Sequence, residues 1–423
     1  MRRDISKLLF VSDAPHFGGA EQYVANMVAA ARIRGISSVV WWARPCTGTE
    51  DVFAEARRQG ADVWVVPPAR TRHLHALCRE LRRCVRQERP DAMIVNACGR
   101  PRFWAVPWVC RLEGVPSLWV HHMVDHLDYR RLMPARLGGR IEGLNAWRWP
   151  QALRHRLAAT ASTAVVTLNE EDRAQVAREH CIRPHHVHVV RNGIDTSRYR
   201  FDSHARTCVR AVWREAGILH DLPTEPFIVG SAGRLVHGKG FELLAQAIAV
   251  LRGRGMDVQA VVAGDGPDRQ KLISIADKLG VTDYFALLGQ VADMPAFYSA
   301  IDAFALCSST ESFGLVLGEA MSCERAVVAT PTAGARMQID DGLTGLLLES
   351  FSTEELADKL SALASQSLLR EQLGCNARRR VMRELSIETA LDRTLSLLRR
   401  PQTAANCHQP LALPVSRRLE EAA

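Results

Sequence analysis

The sequence lacks several features that would assign it to a specialised class of protein. Its eleven cysteines are scattered, odd in number and never form a Cys-x-x-Cys pair. This argues against a zinc site and a disulfide framework, and favours a reducing cytoplasm. No apolar run approaches the ~20 residues that a membrane-spanning helix needs. The apolar run near the N-terminus meets Asp13 too early for a signal-peptide core, and is better explained as a first strand.

Lysine is scarce and arginine is abundant. Of the 54 basic residues only five are lysines, and the formal net charge is +8. Such a charge suits a nucleic acid, an anionic membrane surface or a phosphate-bearing ligand. The sequence has no nucleic-acid motif and no basic run interleaved with stacking aromatics. We therefore expect no nucleic-acid partner, and favour a membrane surface or a phosphate-bearing ligand.

The chain has two series of alternating strands and helices. Its 423 residues are too many for one ordinary core. Strands that alternate with helices predict parallel sheets, and the irregular stretch 191–226 separates the two series. We predict an α/β protein with these parts: an N-terminal Rossmann-like domain over 1–195, a second Rossmann-like domain over 196–385, a helix over 386–400 that can pack back on the first domain, and a disordered tail over 401–423.

The most informative stretch, CSSTESFGLVLGEAMS, carries Glu311 and Glu319 eight residues apart. The run FALC ahead of them is typical of a buried strand, and from Ser312 onward the apolar spacing predicts a helix. Both carboxylates should lie near the carboxyl end of a parallel strand, where they can accept hydrogen bonds from the hydroxyls of a sugar or ribose. The alternative is one Glu that favours the helix dipole and a second, solvated Glu.

A second stretch, SAGRLVHGKGFELL, places Arg234 and Lys239 around a glycine-containing turn at the start of a predicted helix. Two cations at a helix N-terminus can bind a diphosphate, although either alone can be a surface charge. The Walker pattern G-x-x-x-x-G-K-[ST] is absent. Beside the two glutamates, these cations would place positive charge for a phosphate next to acceptors for sugar hydroxyls.

The first half offers two weaker signals. Gly18 and Gly19 connect the predicted strand KLLFVSD to a helix, a unit that can face a phosphate or a sugar, although a Gly pair also serves ordinary turns. A predicted strand over 117–120 delivers His121 and His122 to its carboxyl end. A His there can donate a hydrogen bond to a ligand oxygen, and a packed His pair is about as common an outcome.

The segment 125–162 carries seven arginines beside Trp147 and Trp149. Such a segment can lie on an anionic membrane surface or hold an anionic acceptor. The more common outcome for a charge run of this kind is a solvated face.

Taken together, the motifs resemble glycosyltransferase family 4. GRLVHGKG, VVAGDGP, LLGQVADMPAFYSAIDAFALCSSTESFGLVLGEAMSCERAVVAT and DGLTGLLLE are similar to its donor-binding half. The resemblance continues through FGGAEQYV, PDAMIVNA and VVRNGID, and covers most of residues 7–395. It implies the GT-B fold, in which two Rossmann-like domains face each other across a cleft, and a retaining, nucleotide-sugar-dependent transferase.

The resemblance also implies roles for the matching positions. Arg234 and Lys239 would hold the donor diphosphate, while Glu311 and Glu319 would bind hydroxyls of the donor sugar and of the ribose. In the first half, Gly18 and Gly19 would face the donor, and His122 would lie near the donor sugar. The remaining substrate-binding positions are Ser308, Gly314, Leu315 and Val316.

Two groups of residues depart from the family pattern. Glu324 and Ala326 stand where the family usually has Gly and Pro, and Ala333 and Met337 replace a glycine and an acidic residue. These changes leave the diphosphate-binding set intact and bear on which sugar is used. Because the fixed cations would balance the diphosphate charge and no clear Asp-x-Asp motif is present, we expect no metal and no cofactor beyond the nucleotide-sugar co-substrate.

The expected function is transfer of a hexose-type sugar from a UDP- or GDP-sugar to a glycan or lipid-linked acceptor, in bacterial cell-surface polysaccharide or glycolipid synthesis. One alternative is a nucleotide-sugar epimerase or hydrolase of the same fold. Another is a catalytically inactive sugar-nucleotide-binding module, against which the intact Arg234, Lys239, Glu311 and Glu319 argue. We expect a cytoplasmic protein, either free or peripheral on the inner face of the plasma membrane.

Overall fold

The computed structural model describes residues 4–14, 18–43, 52–96, 102–122, 148–219 and 225–399. These residues form two parallel sheets flanked by helices, so the predicted α/β architecture is confirmed. The expected disorder of 401–423 and most of the arginine-rich segment 125–162 lie outside the described residues.

The first half of the chain builds a sheet of seven parallel strands in the order β3-β2-β1-β4-β5-β6-β7. Its strands are β1 Lys7–Ser12, β2 Ser37–Ala43, β3 Asp62–Val66, β4 Ala92–Asn96, β5 Ser117–Val120, β6 Ala164–Thr167 and β7 Val187–Val189. Its helices are α1 Gly19–Ile33, α2 Ala54–Arg58, α3 Pro68–Thr71, α4 Leu74–Glu88, α5 Val106–Leu112, α6 Arg148–Ala161 and α7 Glu170–Glu179.

The second half builds a sheet of six parallel strands in the order β10-β9-β8-β11-β12-β13. Its strands are β8 Phe227–Ala232, β9 Val258–Ala263, β10 Phe285–Gly289, β11 Ala303–Leu306, β12 Ala326–Ala329 and β13 Leu346–Leu347. The helices are α8 Ser203–Glu215, α9 Phe241–Gly253, α10 Arg269–Lys278, α11 Met294–Ala300, α12 Leu315–Ser322, α13 Ala333–Gln338, α14 Thr353–Ser365, α15 Ser367–Glu384 and α16 Ile387–Leu398.

Each sheet has one point at which the direction of winding reverses. In the first sheet, β1 lies between β2 and β4, and in the second β8 lies between β9 and β11. Loops that leave two neighbouring strands in opposite directions open a crevice at the carboxyl ends, where α/β sheets bind ligands. The central strands are apolar and buried on both faces, as in the wholly buried β8 and β11.

Local sequence explains where many of the helices begin. Side chains accept hydrogen bonds from the first backbone N–H groups of α7, α8, α11, α13, α14 and α16, and the capping residues are Asn169, Asp202, Asp293, Thr332, Ser352 and Ser386. His73 takes an extended conformation and separates α3 from α4. No helix of the described part of the chain is long and apolar enough to cross a membrane.

After α15 the chain returns to its first half. Ile194 forms a parallel bridge with Ser386, and a Cβ atom on Gly193 would lie 2.5 Å from the Cα of Ile387. Beyond this contact α16 packs on α1, where Arg34 Nη2 lies 2.7 Å from Asp392 Oδ2. The domain limits at 195 and 385 stay a prediction.

Candidate active site

The loops that follow β8 and β11 meet at the reversal point of the second sheet. Gly240 has φ +69°, and a Cβ atom there would lie 1.9 Å from the Cys307 carbonyl oxygen. Ser309 donates to the Gly238 carbonyl from its backbone N–H at 2.8 Å and from its hydroxyl at 3.1 Å. The glycine-containing turn before α9 therefore rests directly on the segment that precedes Glu311.

Lys239, Ser308 and Glu311 form one polar cluster on these loops. The Lys239 ammonium lies 2.5 Å from Glu311 Oε1, and the Ser308 hydroxyl donates to the same oxygen at 2.9 Å. The Glu311 side chain is 14% exposed and that of Lys239 32% exposed. Lys239 and Glu311, which lie on two separate sequence motifs, thus meet beside Ser308, in a partly buried position where the two charges are only partly screened by water.

Arg234 lies on the same loop as Lys239 and its side chain is exposed. The backbone on both sides of it rests on the loop that follows β9. A Cβ atom on Gly264 would lie 1.9 Å from the Gly233 carbonyl oxygen, and Leu235 N–H donates to the Asp265 carbonyl at 2.9 Å. The AGDGP motif therefore supports the backbone that presents Arg234.

The loop between Glu311 and α12 is fixed through its carbonyl groups. Three consecutive carbonyls each accept one hydrogen bond: that of Glu311 from the Gly334 N–H at 2.8 Å, that of Ser312 from the Asn169 amide at 2.6 Å, and that of Phe313 from the Gln338 amide at 2.5 Å. These carbonyls are bound by residues distant in sequence, so the helix predicted from Ser312 starts only at Leu315. Glu311 lies ahead of the helix, as the motif indicated.

The start of α12 faces the start of α1. Gly314 takes the left-handed conformation at φ +82° and precedes Leu315, the first helical residue. Gly18 precedes α1, and a Cβ atom on Gly19 would lie 3.9 Å from Leu315 Cδ1. Each helix N-terminus carries unpaired N–H groups and partial positive charge. Two such ends, one from each half of the chain, favour an anionic ligand between them.

The two histidines after β5 have different surroundings. The ring of His122 packs edge-on against Tyr23 of α1, with centroids 4.8 Å apart, and burial lowers its pKa to about 3. His121 instead packs against the rings of His155 and His180. For His121, the alternative of a packed histidine without a ligand role therefore holds. His122 is therefore neutral at pH 7 and lies beside the start of the first half's central helix.

Glu319 is buried within α12 and only 6% exposed, so the alternative of a solvated glutamate is wrong. The Tyr298 hydroxyl donates to Glu319 Oε2 at 2.8 Å, and Tyr199 also hydrogen bonds to this carboxylate. Burial raises the pKa of Glu319. Its carboxylate is bound by these tyrosines and does not belong to the cluster of Lys239, Ser308 and Glu311. Its role toward a ribose stays a prediction.

Asn169 and Gln338 hold the loop before α12 and were not predicted from the sequence. The pattern TLNEED indicates a helix cap at Asn169, but its second hydrogen bond crosses to the other half of the chain. No local pattern reports such a contact. Among the residues that the structure describes, no group of three or more His, Cys, Asp or Glu side chains is arranged to hold a metal ion.

Comparisons with known proteins agree with this geometry. The model of the Glycosyltransferase Family 4 matches residues 17–198, and that of the glycosyl transferases group 1 matches residues 219–380. The alpha-D-kanosaminyltransferase of Streptomyces kanamyceticus is 31% identical over 291 residues, which are 68% of this chain and 72% of that protein. The chain belongs to glycosyltransferase family 4.

Two further comparisons bear on this family 4 glycosyltransferase. The capsular polysaccharide biosynthesis glycosyltransferase CapM of Staphylococcus aureus is 25% identical over 55% of this chain and 60% of that protein. The crystal structure of HepE from Anabaena, in complex with UDP and glucose, has a TM-score of 0.74 and 19% identity, and covers 93% of this chain and 99% of that one. At this identity the likeness shows the fold, which is GT-B.

Proposed function

We propose that this family 4 enzyme is a retaining transferase that moves a hexose-type sugar from a UDP- or GDP-sugar to a glycan or lipid-linked acceptor. The product would belong to a bacterial cell-surface polysaccharide or glycolipid. The cluster of Lys239, Ser308 and Glu311 beside the N-terminus of α12 carries the proposal. The presence of UDP and glucose in the HepE structure, and the name of CapM, support it.

Lys239 and Arg234 bind the donor diphosphate and stabilise it as it leaves. Cleavage of the sugar–phosphate bond develops negative charge on the diphosphate, and fixed cations stabilise such charge best in a site that excludes water. The N–H groups of Gly314, Leu315 and Val316 at the start of α12 add hydrogen bonds to the phosphate oxygens. Glu311 then accepts hydrogen bonds from the sugar hydroxyls, and Glu319 from the ribose.

The first half contributes the neutral His122 and the Gly18–Gly19 turn. Positive charge develops on the sugar ring in the transition state, as in glycoside hydrolysis, and a charged imidazolium beside it would be unfavourable. Burial keeps His122 neutral at pH 7, so it can hydrogen bond to a sugar oxygen without adding charge. The acceptor attacks the same face that the diphosphate leaves, through a short-lived ion pair. Closure of the two halves excludes competing water.

A peripheral location on an anionic membrane is part of the proposal, and helix α4 supports it. Its inner face, with Leu77, Leu81 and Val85, is buried, and its outer face exposes the arginines 79, 82, 83 and 86. Arginines 82 and 86 pair with Glu113, and the exposed positive charge of this face attracts anionic lipid headgroups. Cosedimentation with phosphatidylglycerol vesicles should be strong at low salt and weaken as salt rises. Absent or salt-independent binding would remove this part of the proposal.

The first experiment measures thermal stabilisation of the protein by UDP, GDP, ADP and their sugars. A ligand that binds the folded state at ~100 times its dissociation constant adds about 2.7 kcal/mol, so one nucleotide should raise the melting temperature clearly. That nucleotide sugar is then tested for turnover with acceptors. Arg234→Ala and Glu311→Ala should abolish transfer, and unchanged turnover would refute the site assignment.

The same measurements separate the alternatives. Product formed at full rate without any acceptor would favour a nucleotide-sugar hydrolase or epimerase. A protein that one nucleotide stabilises but that forms no product with or without an acceptor would favour the inactive binding module.

A further inference from the structure

Asn169 makes hydrogen bonds to both halves of the chain. It lies between β6 and α7, where its Oδ1 accepts from the Asp172 N–H at 2.8 Å as a helix cap. Its Nδ2 donates to Asp172 Oδ2 at 2.9 Å and to the Ser312 carbonyl at 2.6 Å. The side chain is 2% exposed. It therefore caps a helix of the first half and binds the loop that carries Glu311 in the second half.

The contact with Ser312 bears directly on Glu311. The carbonyls before and after that of Ser312 are bound by Gly334 and Gln338, which lie on α13 in the same half of the chain. The Ser312 carbonyl depends on the first half. A rotation of the peptide between Ser312 and Phe313 would change the loop immediately after Glu311, whose carboxylate makes contacts of 2.5 and 2.9 Å with Lys239 and Ser308.

A second contact lies beside the first. Glu171 of α7 forms an ion pair with Arg336 of α13, with 2.9 Å between Glu171 Oε1 and Arg336 Nη2. Both side chains are about half exposed, so the pair contributes little to the free energy of folding. Its opposite charges nevertheless attract α7 to α13. Helix α13 also carries Gly334 and Gln338, the other two hydrogen-bond donors to the loop.

We propose that Asn169 is a positioning residue, which makes the geometry of the Glu311 loop depend on contact between the two halves of the enzyme. The proposal rests on the proposed function, since it takes Glu311 as a sugar-binding residue. When the halves meet around a donor, the Asn169–Ser312 hydrogen bond fixes the loop and so places the Glu311 carboxylate. Contact between the halves and assembly of the sugar site are then one event.

Asn169→Asp tests the proposal. Aspartate keeps the helix cap and the size of the side chain, but it has no N–H to donate to the Ser312 carbonyl or to Asp172 Oδ2, and its charge would repel Asp172. We expect faster amide hydrogen exchange over residues 310–316, which lie more than 140 positions away in sequence. In Asn169→Ser, which adds no charge beside Asp172, α7 should stay protected. The turnover number should fall by about threefold to tenfold, as expected for the loss of one hydrogen bond. The affinity for UDP or GDP, which lack the hexose that is transferred, should stay within about twofold of the parent enzyme's affinity.

Two further variants keep the test decisive. Asn169→Ser retains a capping oxygen but is too short to span both contacts, and it replaces the aspartate variant if that does not fold. Glu170→Gln is the matched control, because it removes an ion pair with Arg173 within the same helix, and it should change neither the loop nor turnover.

Each outcome of these experiments either supports or overturns the proposed role of Asn169. Unchanged exchange over 310–316 in both Asn169 variants would overturn the proposal whatever the activity. Faster exchange with turnover equal to that of the parent would also overturn it, because the loop contact would then be merely structural. If the parent enzyme bound no nucleotide, the proposed function would fail separately, and the exchange arm would still decide whether Asn169 holds the loop.

Discussion

Glu311 draws its properties from neighbours that are distant in sequence. Lys239 and Ser308 both bind Oε1 of this partly buried carboxylate. The two residues reach it because the turn over 238–240 lies against the segment 307–309. The geometry of the site therefore depends on a backbone contact at Gly240 that carries no functional group.

Gly240→Ala should destabilise the protein strongly. The residue has φ +69°, and its new Cβ would lie 1.9 Å from the Cys307 carbonyl oxygen, so the backbone must shift. A left-handed conformation alone costs an alanine about 1–2 kcal/mol, and the clash adds to that cost. We expect the free energy of unfolding, measured in urea, to fall by more than about 3 kcal/mol.

Gly255→Ala provides the control for this substitution. Gly255 has φ +76° but no heavy atom lies within 4 Å of its Cβ position. Its replacement should therefore show the conformational cost by itself, about 1–2 kcal/mol. Equal losses of stability in the two variants would contradict the steric contact at Gly240.

At the scale of elements, the sequence predicts the strands, the helices and the functional motifs better than the contacts between them. The apolar runs of β8 and β11 and the helix from Phe241 follow from local pattern. The late start of α12 does not, because Gly334, Asn169 and Gln338 bind the carbonyls of its first predicted turn. Each of those donors is 23 or more residues away in sequence from its acceptor, so no helical periodicity reports them.

Three histidines pack together between the end of β5, α6 and the end of α7, and they do not belong to the candidate site. The rings of His155 and His180 stack with centroids 4.2 Å apart, and His121 lies 5.2 Å from His155. Burial lowers the pKa of all three, and repulsion from neighbouring charged histidines also lowers that of His121 and that of His155, which is about 4. Arg154 also lowers the pKa of His155, and Glu179 opposes the shift at His180.

This stack should make the stability depend on pH. In the unfolded chain the histidines bind protons below a pKa of about 6.5, whereas in the folded protein the pKa of His155 is about 4 and those of His121 and His180 are also lowered. The unfolded state thus holds more protons between these values, and stability falls as pH drops from about 6.5 to about 4. Urea midpoints at pH 7.5 and 5 should show this loss. His155→Gln should reduce the difference, and an undiminished difference would show that the stack is not its source.

For the whole molecule, the C-terminal segment connects the ends of the chain. Ser386 and Ile387 pair with Ile194, and α16 then covers α1. Tyr23 of α1 is central to this contact, because it hydrogen bonds to Thr394 while its ring packs on His122. Helix α16, the last one in the described part of the chain, therefore supports the helix whose N-terminus faces the candidate donor site.

Leu391→Ala should weaken the first half of the molecule although the residue follows the second half in sequence. Leu391 is fully buried in the core cluster that contains Tyr23 and Met27 of α1. Replacing a buried leucine by alanine costs about 2–5 kcal/mol through lost burial and the cavity left behind. Leu368→Ala is the matched control, since Leu368 is 72% exposed on α15 and its loss should cost little. Hydrogen exchange should rise in α1 of the Leu391 variant. If it rose only in α15 and the second half, α16 would not be part of the first core, and its effect on the site through Tyr23 would have to be given up.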